Sequence, residues 1–289
     1  MEVHQLRYFV AIADEGSFTA AAARLHVSQS GVSTQLAKLE HELGQRLLTR
    51  GRMLTLTPAG HSILPLARET LASLEAITYT AAEFADAVRG PAHLGMIPGC
   101  TIPGLLDVVA HLRTTHPGIT LHVSEGSATD LQDGIRERRL DIALTGYAGT
   151  LPPEFAHNLV TDEQLHVFAP QSLGLGARPS VADIQQHPVL CLPVGSGIRA
   201  AYDQSCVKLG IAPRVDIEAS SPLTLLGLAE RGGGVAVLPP STEVSGALVS
   251  KPLRDAAIHA KLALISRHEQ SAPAVRLVTE KLTAALSPS

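Results

Sequence analysis

A chain of 289 residues with 45% hydrophobic and 17% charged residues is long enough for two or three domains and a substantial core. Its formal net charge of −4 excludes a protein that coats nucleic acid over its whole surface. An aromatic content of 3% without tryptophan argues against a ligand site built as an aromatic cage.

The first apolar face, Leu6, Phe9, Val10 and Ala13, predicts a helix ending at Asp14-Glu15-Gly16. From Ser17 to Leu43 the spacing predicts two helices joined by a tight turn. Ala21, Ala22 and Leu25 form the packing side of the first, Val27 closes the turn, and Ser28 caps the second. In that second helix Val32, Leu36, Leu39 and Leu43 make one buried stripe, while Gln29, Ser30, Ser33, Thr34 and Lys38 make a face of short polar groups and one cation. Such a face suits base edges and phosphates, so these five residues are the candidate DNA contacts of a helix-turn-helix. Gln29 can pair with adenine, and Lys38 suits phosphate. A solvated polar face is the plainer alternative for any single one of them.

Gly44 stops the second helix. Leu47-Leu48, Arg50-Gly51-Arg52 and Met53-Leu54-Thr55-Leu56 then read as a short hairpin, a wing whose Arg50 and Arg52 can contact phosphate or enter a minor groove. Across residues 24–52, Arg24, Lys38, Arg46, Arg50 and Arg52 stand against Glu40 and Glu42. This local positive excess on an acidic carrier fits a small DNA-reading module. Thr57-Pro58 opens a long helix running to about Val88, with Pro65 early in it as a possible kink. Leu64, Ala67, Leu71, Leu74, Thr78, Ala81 and Ala85 recur at alternating steps of three and four, the seam of a coiled coil with a partner chain, or else a face packed on its own domain.

After Arg89-Gly90-Pro91 the pattern changes to alternating strands and helices. Strands are expected at His93–Ile97, Ile119–Ser124 and Asp141–Thr145, with helices at Pro103–Thr115 and Thr129–Arg138. A second half opens at 165–169, with a short helix capped by Ser180, strands at Val189–Leu192, Arg214–Glu218 and Val235–Leu238, and helices at Ile198–Leu209 and Ser221–Glu230. A late strand at Leu262–Ser266 and a helix at Ala272–Leu286 close the chain. This alternation predicts mainly parallel sheets in two lobes, similar to a periplasmic-binding-protein fold. The expected boundaries are 1–58 for the winged helix-turn-helix, 59–89 for the linker helix and 90–289 for the two-lobed domain. Lobe I takes about 90–162 and 267–289, and lobe II about 163–266.

The candidate effector residues lie where turns enter helices around the cleft, because free N–H groups and the helix dipole favour anions. They are Thr101, Ser127, Thr129, Thr145 and Gly146 from one lobe, and Ser196, Gly197, Arg199, Ser221 and Thr224 from the other. Each hydroxyl alone is equally an ordinary helix cap. Their recurrence at one topological position in both halves points to a shared site for a small molecule, with an organic anion as the candidate.

Enzyme motifs do not appear: there is no G-x-S-x-G elbow, H-E-x-x-H or P-loop. Cys100, Cys191 and Cys206 give no disulfide framework or C-x-x-C pair, and the histidines show no compact ligand spacing, so neither a metal nor a cofactor is expected. MEVHQLRYFV lacks the pattern of a secretory leader and no apolar run approaches the ~20 residues of a membrane span, which makes the cytoplasm the expected location.

The chain closely resembles the LysR-type transcriptional regulators. The resemblance rests on Leu6-Arg7-Tyr8-Phe9, Gly16-Ser17-Phe18-Thr19-Ala20-Ala21-Ala22, Leu25-His26-Val27-Ser28-Gln29-Ser30, Leu39-Glu40, Leu43-Gly44, Leu47-Leu48, Arg50 and Leu56-Thr57-Pro58-Ala59-Gly60. Further on it rests on Pro117, Glu125-Gly126, Asp141-Ile142-Ala143-Leu144 and the stretch from Gly232 to Pro239. It is dense to about residue 65 and looser afterwards. The resemblance implies a winged helix-turn-helix, a dimerising linker helix and a two-lobed effector domain in a homodimer or homotetramer. It also implies pseudo-palindromic promoter DNA and a small effector as partners, with RNA polymerase as a further candidate. A solute-binding or catalytic module that keeps its N-terminal domain only for assembly is the alternative function.

Departures fall at Ser30 and Gly31, where the family often has Pro and Ala, at Thr34, which replaces a frequent arginine, and at a wing one residue shorter. The peroxide-sensing branch is similar around Gly195 to Cys206, but its reactive cysteine, nine residues before its partner, falls here on Gly197.

Overall fold

The computed structural model describes every residue except 50–53, 84–87, 101, 103, 243–245, 270–271 and 288–289, and only the backbone of 79–83. The chain divides into two compact units. One is Met1–Gly90 with Arg136–Arg139 and Ser271–Pro273; the other is Pro91–Ile135, Leu140–Gln270 and Ala274–Ser289.

The first unit opens with α1 (Val3–Glu15), α2 (Phe18–Arg24) and α3 (Gln29–Leu43). Gly16 and Gly44 end α1 and α3 with φ of +60° and +65°, a left-handed conformation that costs glycine little. Phe9, Ile12, Ala21, Val32, Leu36 and Leu39 are buried together as the core of the three helices. Strands β1 (Leu48–Thr49) and β2 (Thr55–Leu56) pair antiparallel as the base of the wing. Its tip, with Arg50 and Arg52, lies outside the described residues.

Helix α4 (Pro58–Glu83) continues through Pro65. The Thr57 hydroxyl accepts from Gly60 N at 3.0 Å and donates to Arg46 O at 2.5 Å, tying the helix start to the wing base. Gly60 is there because a Cβ would stand 2.1 Å from Leu47 O. The expected seam divides in two. Leu64 and Ala67 are buried and Leu71 half-buried in the unit's own core, so this part packs intramolecularly. The side chains of Ala81 and Ala85 lie outside the described residues. Among the described residues of α4, Leu66, Leu74 and Ile77 are the large apolar side chains left exposed, at 60%, 39% and 68%. With Thr70 they form a stripe at steps of four, four and three on another face.

The second unit holds β3 (Gly90–Met96), α5 (Leu105–Thr115), β4 (Ile119–Glu125), α6 (Ala128–Arg136), β5 (Ile142–Tyr147), β6 (Phe155–Glu163) and β7 (His166–Pro170). It continues with α7 (Val181–Ile184), β8 (Val189–Cys191), α8 (Gly197–Lys208), β9 (Ile217–Glu218), α9 (Pro222–Glu230), β10 (Val235–Leu238), β11 (Leu248–Pro252), β12 (Ala260–Arg267) and α10 (Pro273–Leu286). Two five-stranded sheets result, ordered β4-β3-β5-β12-β6 and β11-β7-β10-β8-β9.

Two sequence expectations change. The sheets are mixed rather than mainly parallel. β12 runs antiparallel to β5 and β6, and β7 antiparallel to β10 and β11. β12 also belongs to the first sheet, so the chain returns from lobe II before Ala260, not after Ser266. Strands β6 and β11 lie at sheet edges and carry interleaved polar residues, so neither shows the solid apolar run of β10.

The crossings between sheets, residues 164–165 and 253–259, are bonded to one another. Leu253 N donates to Leu165 O at 3.0 Å, and Gln164 Nε2 donates to Leu253 O at 2.7 Å. Asp162 and His259 add a contact of 2.6 Å.

Because the Cβ of any other residue would overlap a backbone oxygen, Gly60→Ala is expected to cost about 1–3 kcal/mol. Chemical denaturation of the N-terminal unit checks this; an unchanged midpoint would show that the junction gives way freely.

Candidate nucleic-acid interface and effector cleft

In the helix-turn-helix, the Ser17 hydroxyl accepts from Ala20 N at 3.4 Å to start α2, and the Ser28 hydroxyl accepts from Gly31 N at 3.1 Å to start α3. Between them His26 takes a φ of +54°, uncommon for a residue with a side chain. Val27 N then reaches Ala22 O at 3.0 Å and closes the turn. This fixes the angle at which α3 leaves α2.

Val32, Leu36 and Leu39 face inward with Leu43 half-buried, while Gln29, Ser30, Thr34 and Lys38 are exposed and Ser33 half-buried. At 100° per residue Ser30, Thr34 and Lys38 lie within about 60° of the direction opposite the buried stripe, and Gln29 lies toward one side. The Thr34 hydroxyl donates to Ser30 O at 2.8 Å.

Charges around this face are already sorted. Glu40 accepts from Leu47 N at 2.8 Å and Leu48 N at 3.2 Å, a carboxylate used to anchor the wing. Glu42 pairs with the N-terminal amine. Arg24 pairs with Asp14 at 3.5 Å and Glu15 at 3.1 Å, which removes it from the positive excess read in the sequence. Lys38 and Arg46 stay exposed.

In the second unit the ends of β3, β5, α6, α8 and α9 converge between the two sheets. Helix α8 packs on β5 and β12 of the first sheet as well as on β10 of its own. A Cβ on Gly197 would stand 2.3 Å from Tyr147 N and 2.4 Å from Gly146 C, so backbone meets backbone there. Beside it a Cβ on Gly195 would come within 3.3 Å of Thr129 Oγ1, and one on Gly99 within 3.8 Å of Pro222 Cδ. Thr129 thus lies beside Gly195, Gly146 beside Gly197, and the start of α9 beside Gly99. Thr101 lies outside the described residues.

The roles within the cleft differ from a simple anion cradle. Ser127 and Asp130 cap α6 reciprocally: Asp130 N donates to Ser127 Oγ at 3.1 Å and Ser127 N to Asp130 Oδ2 at 3.2 Å. A carboxylate of the chain already occupies that helix end, and the spacing Ser-x-x-Asp is the sequence signal for it. Ser196 caps α8 by accepting from Arg199 N at 3.1 Å. Arg199, 13% exposed, gives its guanidinium to Asp203 at 2.9 Å and to Glu218. Burial opposes its charge, but these two carboxylates outweigh it and raise its pKa.

Ser221 makes no capping bond to α9, and Thr224 is exposed. Thr145 is fully buried, and among the described residues its Oγ1 has no hydrogen-bond partner. A further hollow of about 510 Å³, lined by Gly104, Asp107, His111 and Lys281 among others, lies between α5 and α10 rather than in this cleft.

Burial pushes the pKa of the Cys191 thiol up to about 12 and raises those of Cys100 and Cys206, whereas the thiolate is the reactive form. Gly197 and Cys206 also stand on one helix, about 13 Å apart along its axis at 1.5 Å per residue. Among the described residues no group of three or more metal-ligating side chains forms, and no helix is long and apolar enough to cross a membrane.

Gly197→Ala and Gly197→Cys are each expected to cost about 1–3 kcal/mol, because the overlap is with backbone and not with a yielding side chain. Scanning calorimetry of the effector-domain transition checks this. Melting equal to the parent would mean that the two lobes part easily.

Residues 3–61 match the bacterial regulatory helix-turn-helix protein family of lysR type, and residues 85–287 match the LysR substrate binding domain. Among curated relatives, a probable hydrogen peroxide-inducible genes activator of Mycobacterium avium is 34% identical over 244 residues, 82% of this chain and 77% of its own length. The transcriptional dual regulator GltC of Bacillus subtilis is 29% identical over 245 residues, 84% of this chain and 82% of its own. A full-length OxyR variant from Pseudomonas aeruginosa superposes with a TM-score of 0.73 at 26% identity, over 99% of this chain and 94% of that one. CbnR in complex with its target DNA shares the fold at a TM-score of 0.63 and 23% identity, over 99% and 100%. With both of its parts matched, the chain belongs to the LysR family of transcriptional regulators, DNA-binding proteins that carry an effector-binding domain.

Proposed function

We propose that this regulator reads promoter DNA with Gln29, Ser30, Ser33, Thr34 and Lys38 of α3 and with Arg50 and Arg52 of the wing. The outward face of α3 carries the proposal: it is polar and short, and Lys38 rises from it while the neighbouring acids are engaged elsewhere. Two copies joined through Leu66, Thr70, Leu74 and Ile77 of α4 would present two such helices to a two-fold related site. The domains follow as 1–58, 59–89 and 90–289, and the protein works in the cytoplasm as a regulator without catalysis of its own.

Binding to DNA from upstream of its own gene, titrated over several salt concentrations, tests this reading. Affinity should fall steeply with salt, and Lys38→Ala should lower the slope by about one unit of log K against log salt. An unchanged slope would remove Lys38 from the phosphate contacts.

The effector lies between the lobes, against Thr101, Ser127, Thr129, Thr145, Gly146, Ser196, Gly197, Ser221 and Thr224, with Arg199 holding the wall in place. The start of α9 supports this most, because Ser221 leaves its free amides without a side-chain cap. Since Arg199 is neutralised and α6 already carries Asp130, an organic anion would depend on the uncapped start of α9. A thiol-pair switch does not fit glycine at 197, and burial raises the Cys206 thiol.

Thr145→Val should leave the unliganded protein as stable as before or slightly more so, and should reduce the thermal shift produced by small metabolites. A full shift in that variant would place the ligand elsewhere.

A further inference from the structure

We propose that Thr34 is a specificity-determining residue that reads the C5 methyl group of one thymine in each half-site. This rests on the assignment of α3 as the DNA-reading helix.

Thr34 stands nearly opposite Val32, Leu36 and Leu39, in the part of the helix surface turned away from the core, and it is exposed. Its hydroxyl hydrogen is committed to Ser30 O, 2.8 Å away on the preceding turn. With the oxygen turned back on the helix, the Cγ2 methyl is the free tip of the side chain. The residue therefore presents an apolar group where its type suggests a polar one.

The surroundings let that methyl approach a groove floor. On the preceding turn stand Ser30 and Gly31, both small, and Gly31 has no Cβ to hold the helix away. On the following turn Lys38 is long enough to take phosphate while the axis sits deep. The exposed apolar group on the major-groove edge of unmodified DNA is the C5 methyl of thymine; the other features there are hydrogen-bond donors and acceptors. A methyl tip flanked by small residues thus favours thymine, whose C5 methyl it can meet in apolar contact, over cytosine, which carries only hydrogen at C5.

The test uses the full chain. Duplexes selected from a randomised pool give the preferred site, and each of its thymines is replaced by deoxyuridine, which removes the methyl and leaves O4 in place. One thymine in each half-site should weaken binding about fourfold when so replaced, the equivalent of one buried methyl. Thr34→Ser should weaken binding to the thymine duplex by the same factor and should not respond to deoxyuridine there. Thr34→Val, which restores the methyl, should respond as the parent does.

Strong binding to the selected site with no thymine whose replacement is cancelled by Thr34→Ser overturns the proposal and leaves α3 as the reading helix. Failure of the parent to prefer the selected duplex over random DNA overturns both.

Discussion

In the effector-binding domain the first turn of α8 lies backbone to backbone on the end of β5, at a separation that requires glycine at residue 197. The position of α8 decides the rest of the cleft. It brings Gly195 to Thr129, sets Arg199 between Asp203 and Glu218, and fills the lobe II core with Ala201, Tyr202 and Cys206. A side chain at 197 would press on main-chain atoms, which are fixed by the β5–β12 ladder and have no rotamer to escape into.

The DNA-reading unit is held by a different kind of contact, between side chains and free backbone groups. Ser17 and Ser28 start α2 and α3, Glu40 binds two amides at the wing base, and Thr57 fastens α4 to the same segment. These bonds involve few buried atoms, yet they aim α3 and the wing relative to one small core. Glu40 is held at the wing base and Glu42 by the N-terminal amine, so each of the acids of α3 has a partner of its own.

The helix-turn-helix was legible in the sequence because its periodicity and caps are local. Val32, Leu36 and Leu39 are buried as their spacing requires, and Gly44 ends the helix where expected. The strand β12 shows the opposite case. Its apolar run announces a strand, but which sheet it joins depends on pairing with β5, more than a hundred residues away, and no local pattern encodes that. The apolar repeat of α4 leaves two readings open for a similar reason: a helical stripe looks the same whether it meets another chain or its own domain. Leu64 and Ala67 meet the latter. Among the cleft residues the capping serines were identifiable, whereas the neutralisation of Arg199 by Glu218 was not, since β9 lies in a separate part of the chain.

The two crossings between the sheets carry a mechanical consequence. Because 164–165 and 253–259 share main-chain and side-chain hydrogen bonds, they form a two-ply ribbon and not two independent tethers. A displacement of one lobe against the other therefore loads both crossings together, and neither segment can shift without straining the hydrogen bonds that join it to the other.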